Sequence, residues 1–278
     1  MTRRIGLIGN PVAHSISPAI QNAALAAKGI DATYELWQTP LAELAERVAS
    51  LRADDVLGAN VTVPHKLAVM EYLDEVSEVA TRAGAVNTIV HREGRLFGDN
   101  TDIAGFATSL RAACPDAKTL PAFVLGAGGA ARAVILALAE IGVPTTTVAN
   151  RGEARMAALD AELAGIAFQR LGMDEAGLRD ALPTVGVLIN ATSIGWHPGE
   201  TPLSLDLLAA LPEGATVVDL TYRDTDLLAA ARARGLRTLD GLPMLVHQGA
   251  EAFTLWTSVE APVAEMLTAA AIARDARR

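Results

Sequence analysis

Short apolar runs alternate with stretches of helical spacing along the first part of the chain. Ile5 to Gly9, Ala32 to Trp37 and Leu57 to Thr62 read as strands, and Pro18 to Lys28 and Leu41 to Leu51 between them read as helices. This β-α-β-α-β order predicts an α/β layer with mostly parallel strands. Thr88-Ile89-Val90 and Arg95-Leu96-Phe97, joined across Glu93-Gly94, read as a hairpin that adds antiparallel strands. The first sheet is therefore expected to be mixed.

A second alternation starts with the apolar run Ala122 to Leu125, continues through a helix from Ala130 to Ile141, and returns as Thr145 to Ala149. Val185 to Ile189 and Ala215 to Leu220 extend it with further strands. The segments His247 to Trp256 and Pro262 to Ala273 have helical spacing and do not continue this alternation, so they are expected to pack back on the first domain. The fold class is α/β with two domains: residues 1–103 with 240–278, and residues 104–239 as a Rossmann-like domain, separated by a cleft with a two-stranded hinge. The basic end, Arg274-Asp275-Ala276-Arg277-Arg278, is expected to fray.

Composition narrows the class. With 278 residues the chain suits two cores, and 51% hydrophobic against 20% charged residues is an ordinary globular balance. A formal charge of −9 argues against general nucleic-acid or anionic-membrane binding, so an anionic ligand must be held locally. Cys114 is the sole cysteine, which excludes an intrachain disulfide and a thiolate metal cluster and fits a cytoplasmic location. Asn10-Pro11 cuts short the apolar region after Arg3 and Arg4, which argues against a signal peptide. The glycine turn and Arg132 interrupt the longest span candidate, Ala122 to Ala139, so no membrane span is expected. His14, His65, His91, His197 and His247 lack paired metal-ligand spacing, and no metal is expected.

The candidate chemistry lies in three polar interruptions. Asn60-Val61-Thr62-Val63-Pro64-His65-Lys66 sets a lysine among amide, hydroxyl and imidazole groups where a strand ends. Asp102 closes a second cluster, Asp99-Asn100-Thr101-Asp102. A hydride transferred to a carbonyl leaves an alkoxide, and Lys66 oriented by Asp102 would supply the proton. A lysine at a helix start is otherwise an ordinary surface residue. The third interruption, Gly126-Ala127-Gly128-Gly129-Ala130, follows a strand and opens a helix, as a pyrophosphate site requires. At the next strand end Asn150, Arg151 and Arg155 suit a 2′-phosphate, hence NADP, while Glu153 suits a ribose hydroxyl, hence NAD. Ser15 and Ser17 in His14-Ser15-Ile16-Ser17-Pro18 offer hydroxyls to a carboxylate, with helix capping as the alternative for Ser17. Thr192 and Ser193 stand at the carboxyl end of a parallel strand, where ligands bind or where they only form a turn. No glycine-flanked serine elbow occurs, which disfavours hydrolase chemistry.

Taken together, Ser15-Ile16-Ser17-Pro18, Asn60 through Lys66, Gly84-Ala85-Val86-Asn87-Thr88, Asp99 through Asp102, the glycine loop, Asn150-Arg151, Asn190-Ala191-Thr192-Ser193, and Met244-Leu245-Val246 before Gln248 resemble the shikimate 5-dehydrogenase family along nearly the whole chain. The resemblance implies an oxidoreductase that reversibly reduces 3-dehydroshikimate to shikimate with NADP, on the route to chorismate and aromatic amino acids. It implies Lys66 and Asp102 as the catalytic pair, and Ser15, Ser17, Thr62, Asn87, Asp102, Tyr222 and Gln248 as substrate ligands. Towards the cofactor it implies Glu78, Gly126, Ala127, Gly128, Gly129, Ala130, Asn150, Arg151, Arg155, Thr192, Ser193, Leu220 and Gly241. A homodimer is a further expectation. Three positions depart from the family pattern: Gly152 where threonine is common, Pro243 where glycine is frequent, and a shortened loop after Tyr222 that lacks the usual proline. The alternatives are a quinate/shikimate dehydrogenase using NAD or both cofactors, and a non-catalytic nucleotide-sensing protein. A methylenetetrahydrofolate dehydrogenase would need a folate pocket that the Ser-Ile-Ser-Pro loop does not suggest.

Overall fold

The computed structural model describes residues 2–277. The chain forms two compact units, Met1–Gly105 with Leu245–Arg278, and Phe106–Met244. In the first, β1 (Arg3–Gly9), α1 (Ser17–Ala27), β2 (Ala32–Gln38), α2 (Leu44–Ser50) and β3 (Val56–Val61) make the parallel part. There follow β4 (Glu75–Val76), α3 (Glu78–Ala83), β5 (Thr88–Arg92), β6 (Arg95–Asp99) and the start of α4 (Asp102–Ala113). The strand order is β2-β1-β3-β5-β6-β4. β1 is parallel to both neighbours, whereas β5 is antiparallel to β3 and β6, so the sheet is mixed. The two-residue hairpin turn holds Glu93 at φ 50° and Gly94 at φ 77°, the positive-φ pair whose twist matches the flanking strands.

Leu41–Glu43 forms a separate 3-10 turn ahead of α2, where the spacing had suggested one helix from Leu41 to Leu51. Ile8, Val48, Val56, Val61, Val86, Ile89 and Leu96 build the core of this unit.

In the second unit, β7 (Ala122–Leu125), α5 (Gly129–Ile141), β8 (Thr146–Ala149), α6 (Glu153–Glu162) and β9 (Gln169–Leu171) form one βαβαβ half. After α7 (Glu175–Ala181), the strands β10 (Val187–Asn190), β11 (Thr216–Asp219) and β12 (Arg237–Leu239), with α8 (Leu205–Leu208) and α9 (Asp226–Ala233), form the other. The order β9-β8-β7-β10-β11-β12, parallel throughout, is that of a dinucleotide-binding sheet. Its order reverses between β7 and β10, and ligands bind beyond the carboxyl ends of strands at such a point. Helix α5 is buried from Ala133 to Leu138, which explains its continuous apolar run without a membrane role. Among the described residues no helix is long and apolar enough to cross a membrane.

The chain ends in α10 (Leu242–Thr257) and α11 (Val263–Asp275). Helix α10 starts five residues before the expected His247, at Leu242. Pro243 falls in its first turn, where the missing N–H has no intrahelical partner to lose. From Leu245 onward the two helices pack in the first unit, as the sequence suggests: α11 lies against α1, and Gln21 Nε2 donates to Gly249 O at 2.9 Å. Trp256 packs on Gly58, where a Cβ would stand 2.7 Å from its ring nitrogen, and Trp256 Nε1 donates to Ile89 O at 2.9 Å. The Arg277 guanidinium donates to the carbonyls of His14 and Ser15. Arg278 lies outside the described residues.

Candidate active site

In the first unit the strand pairing runs on past β3: Thr62 N donates to Ile8 O at 2.8 Å, and the chain then turns as His65 N donates to Thr62 O. His65 is fully buried, its Nε2 lying 2.6 Å from Thr39 O, which pins the turn from beneath. Val86 N donates to Lys66 O at 2.8 Å, so the lysine backbone is fixed on that side as well. Lys66 Nζ donates to Asp102 Oδ2 at 2.6 Å. The two side chains are 31% and 15% exposed, enough for a ligand to reach them and too little for free solvation. Asp102 is the first residue of α4, where the helix dipole favours a carboxylate.

Asn87 orders the other side of the pair. Its Oδ1 accepts from Thr101 N at 2.8 Å, which turns Nδ2 towards Asp102 Oδ1 at 2.8 Å and Gln248 Oε1 at 3.3 Å. Gln248 comes this close because Gly105 has no side chain: a Cβ there would stand 2.6 Å from Gln248 N. Lys66, Asp102, Asn87 and Gln248 therefore form one hydrogen-bonded cluster. Thr101, which the sequence reading passed over as a ligand, joins it through Asn87 Nδ2 at 2.9 Å. Asn60 is buried beneath, accepting from Tyr34 Oη at 2.9 Å and donating to Thr88 Oγ1 at 3.1 Å, so it is a support of the cluster. Burial pushes the Tyr34 phenol upward, keeping it a donor.

Ser17 is not the helix cap. It is the first helical residue, with Ile16 at the cap position and no side-chain cap bond. Ser15 Oγ instead donates to Ser17 Oγ at 3.0 Å and accepts from Ser17 N at 3.2 Å, which pairs the two hydroxyls in one half-buried loop. The Thr62 methyl faces Gly9, where a Cβ would stand 2.4 Å from it. Glu78 lies exposed in the first turn of α3, behind the Ser77 cap.

In the second unit a cavity of about 290 Å³ opens at the switch point, between the turns after β7, β8 and β10. Gly126, Ala127 and Gly128 line it, with Asn150, Arg151, Arg155, Thr192 and Ser193. Gly126 has φ +106°, a conformation L side chains rarely adopt, and a Cβ would meet Thr192 and Ala191. A Cβ on Gly128 or Gly129 would meet nothing within 4 Å. No protein packing demands glycine at these two positions, as expected where a phosphate approaches the backbone. The first intrahelical bond of α5 is Arg132 N to Gly128 O, so the amides of Gly129, Ala130 and Ala131 precede it at an exposed helix start. These groups fit a dinucleotide pyrophosphate. Glu153 lies exposed on α6 and is not among the residues lining the cavity, whereas both arginines are.

Gly152 is the α6 cap position and makes no side-chain cap bond, while its carbonyl accepts from Asn150 Nδ2 at 2.8 Å. A Cβ on Gly241 would stand 2.0 Å from Leu220 O, so these two positions are joined by close backbone packing. Tyr222 stands edge-on to Trp196 with ring centroids 5.3 Å apart, and Arg223 lies over the same indole. The loop before it is braced by Glu200, whose carboxyl is held below its ordinary range by the amides of Gly195 and His197. Met173, Thr201 and Pro202 also line the cavity and were missed. Met173 follows the three-residue β9, too short a strand to leave a periodic signal. Among the described residues no group of three or more His, Cys, Asp or Glu could hold a metal.

A dinucleotide-type sheet in one unit, and a lysine–carboxylate pair framed by amides in the other, define a two-domain nicotinamide-dependent oxidoreductase. Residues 7–89 match the shikimate dehydrogenase substrate binding domain, and residues 241–270 match the shikimate 5′-dehydrogenase C-terminal domain. The chain is 45% identical to the shikimate dehydrogenase (NADP(+)) of Symbiobacterium thermophilum over 281 residues, covering 98% of this chain and 95% of that protein. The Thermus thermophilus shikimate 5-dehydrogenase structure in complex with NADP(H) and shikimate superposes with a TM-score of 0.87 at 42% identity, covering 98% and 99% of the two chains. The quinate dehydrogenase of Corynebacterium glutamicum in complex with NAD also superposes at 0.87, with 35% identity and coverage of 96% and 98%. This chain belongs to the shikimate dehydrogenase family.

Proposed function

We propose that the protein catalyses the reversible NADP-dependent reduction of 3-dehydroshikimate to shikimate, a step towards chorismate and the aromatic amino acids. The observation that carries the reading is the Lys66–Asp102 pair at 2.6 Å, partly buried and held by Asn87. NADPH, when bound, supplies the hydride that the carbonyl carbon receives. Lys66 donates to the carbonyl oxygen and transfers its proton as negative charge develops there; in the reverse direction it takes the hydroxyl proton. Asp102 keeps the ammonium aimed at that oxygen.

The remaining groups recognise rather than react. Because the Ser15 hydroxyl proton is spent on Ser17 Oγ, the Ser17 hydroxyl keeps its own proton for a substrate carboxylate. Asn87, Gln248, Thr62 and Tyr222 are the proposed partners of ring hydroxyls. Gly126 to Ala130 hold the pyrophosphate, and Asn150, Arg151 and Arg155 hold the 2′-phosphate. Thr192, Ser193, Leu220, Gly241 and Glu78 complete the proposed cofactor contacts. Residues 1–103 with 240–278 serve as the substrate and catalytic domain, and 104–239 bind the dinucleotide. A cytoplasmic setting fits Cys114, which is buried and free, with burial raising its thiol pKa. The second reading, quinate oxidation with NAD, is supported by the fold shared with the Corynebacterium enzyme.

Lys66→Met tests the proposal, since it keeps the length of the side chain and removes the exchangeable protons. Turnover should fall by about 10² to 10⁴, the usual worth of general acid–base catalysis, with NADP⁺ affinity unchanged by calorimetry. Unchanged turnover would sink the assignment.

A further inference from the structure

Asp219 ends β11, is fully buried, and has no part in the chemistry above. Its Oδ1 accepts from Asn190 Nδ2 at 3.1 Å and from Thr221 N at 3.0 Å, and its Oδ2 accepts from Thr225 Oγ1 at 2.9 Å. One carboxyl group thus ties the end of β10, the turn after β11 and the cap of α9. A buried acceptor facing two donors dictates which way the Asn190 amide points. With Nδ2 turned to Asp219 and to Ile194 O at 2.9 Å, Asn190 must present Oδ1 to Thr192. There it accepts from Thr192 N at 3.1 Å and from the Thr192 hydroxyl at 2.7 Å. Thr192 Oγ1 accepts in turn from Ile194 N at 3.0 Å.

The opposite amide orientation would set Asn190 Nδ2 against Thr192 N and Oδ1 against Ile194 O, two like-with-like contacts. The ladder therefore has one satisfied arrangement, and Asp219 anchors it by accepting from Asn190 Nδ2 alongside Ile194 O. Ala191, Thr192, Ser193 and Ile194 form one wall of the cavity at the switch point. The proton of Thr192 is committed inward, which leaves Ser193, exposed on the same wall, as the hydroxyl free to turn outward.

We propose that Asp219 is a positioning residue of the dinucleotide site, which anchors Asn190, and through it the Thr192–Ile194 wall, without touching the cofactor. This rests on the reading that the cavity takes NADP. The wall belongs to the second βαβαβ half of the sheet, whereas Arg151 and Arg155 belong to the first. Both sets line the one cavity, so Asp219 governs affinity for the dinucleotide and for its adenosine bisphosphate half alike.

Calorimetric titration of NADP⁺ and of adenosine 2′,5′-bisphosphate into the full chain tests this. Asp219→Leu, similar in volume and without an acceptor, should weaken NADP⁺ about tenfold or more, because it strands buried amide donors. Its affinity for the bisphosphate should fall as well, because Arg151, Arg155 and this wall line the same cavity. Asp219→Asn can keep an amide oxygen at the Oδ1 position and donate to Thr225 Oγ1, so it should bind NADP⁺ within about threefold of the wild type. Equal losses in both variants would mean that charge rather than positioning is at work and would overturn the proposal, as would an Asp219→Leu protein with wild-type NADP⁺ affinity. Should the Leu variant fail to fold by circular dichroism, the Asn variant decides: retained affinity supports the proposal and a tenfold loss overturns it. A wild-type protein that binds neither ligand would overturn the cofactor reading itself and this proposal with it. Wild-type binding of both ligands, with an indifferent Leu variant, overturns the positioning role alone.

Discussion

Lys66 and Asp102 were legible as residues because each closes a polar cluster at the end of a strand. Their 2.6 Å contact was an inference from chemistry that the structure now shows directly. The amides were less legible. What Asn87 and Gln248 do depends on partners from other elements, Thr101 and Asp102 above all, and without the family resemblance nothing in their neighbourhoods marks them. Thr192 shows the same limit in reverse: its position at a strand end suggested a ligand, yet its hydroxyl proton points into the protein. Asp219 went unnoticed because the run Ala215 to Leu220 was read only as a strand, and the aspartate's complete burial has no sequence signal. Cofactor choice also belongs at this scale. Arg151 lines the cavity and Glu153 does not, so Arg151→Ala should weaken NADPH about 10- to 100-fold, the worth of a charge-assisted phosphate contact, and leave NADH nearly unchanged. Equal losses in a fluorescence titration of the two cofactors would return the assignment to NAD.

Among the elements, the long strands and the hairpin were legible because their apolar runs are buried in consecutive or alternating order, as in β1 and β3. The two- and three-residue strands β4, β9 and β12 were not, since a pattern of period two cannot be recognised in so few residues. Helix α10 was read short, from His247, whereas it starts at Leu242 with Pro243 in its first turn, where a proline sacrifices no hydrogen bond. The turn from β7 into α5 was legible from its glycines, and the structure separates their duties. Gly126 serves the backbone conformation, while Gly128 has an ordinary φ of −97° and open space where a Cβ would be. Gly128→Ala should therefore change thermal stability by no more than about 0.5 kcal/mol, like a neutral surface substitution, while weakening NADP⁺ by an order of magnitude or more. Unaltered NADP⁺ binding in that variant would mean that the open space is not where a phosphate approaches.

For the whole molecule, the doubling of the α/β alternation announced two units, and the return of the C-terminal helices to the first was foreseen from their failure to extend the second pattern. The sequence places the divisions at 103 and 240, whereas the compact units divide at 105 and 245, inside α4 and α10, because neither helix is broken where the chain changes unit. A net charge of −9 leaves recognition of an anionic substrate and an anionic cofactor to local groups, for which the proposed ones are the serine pair and Lys66 in one unit and the helix start with two arginines in the other. Which ring system those groups accept is the part that shape alone decides least, since shikimate and quinate dehydrogenases share this fold. The most direct test is a steady-state comparison of shikimate and quinate, each with NADP⁺ and with NAD⁺, on the purified protein. The highest kcat/KM is expected for shikimate with NADP⁺; a preference for quinate or for NAD⁺, or the absence of turnover with every pair, would contradict the account.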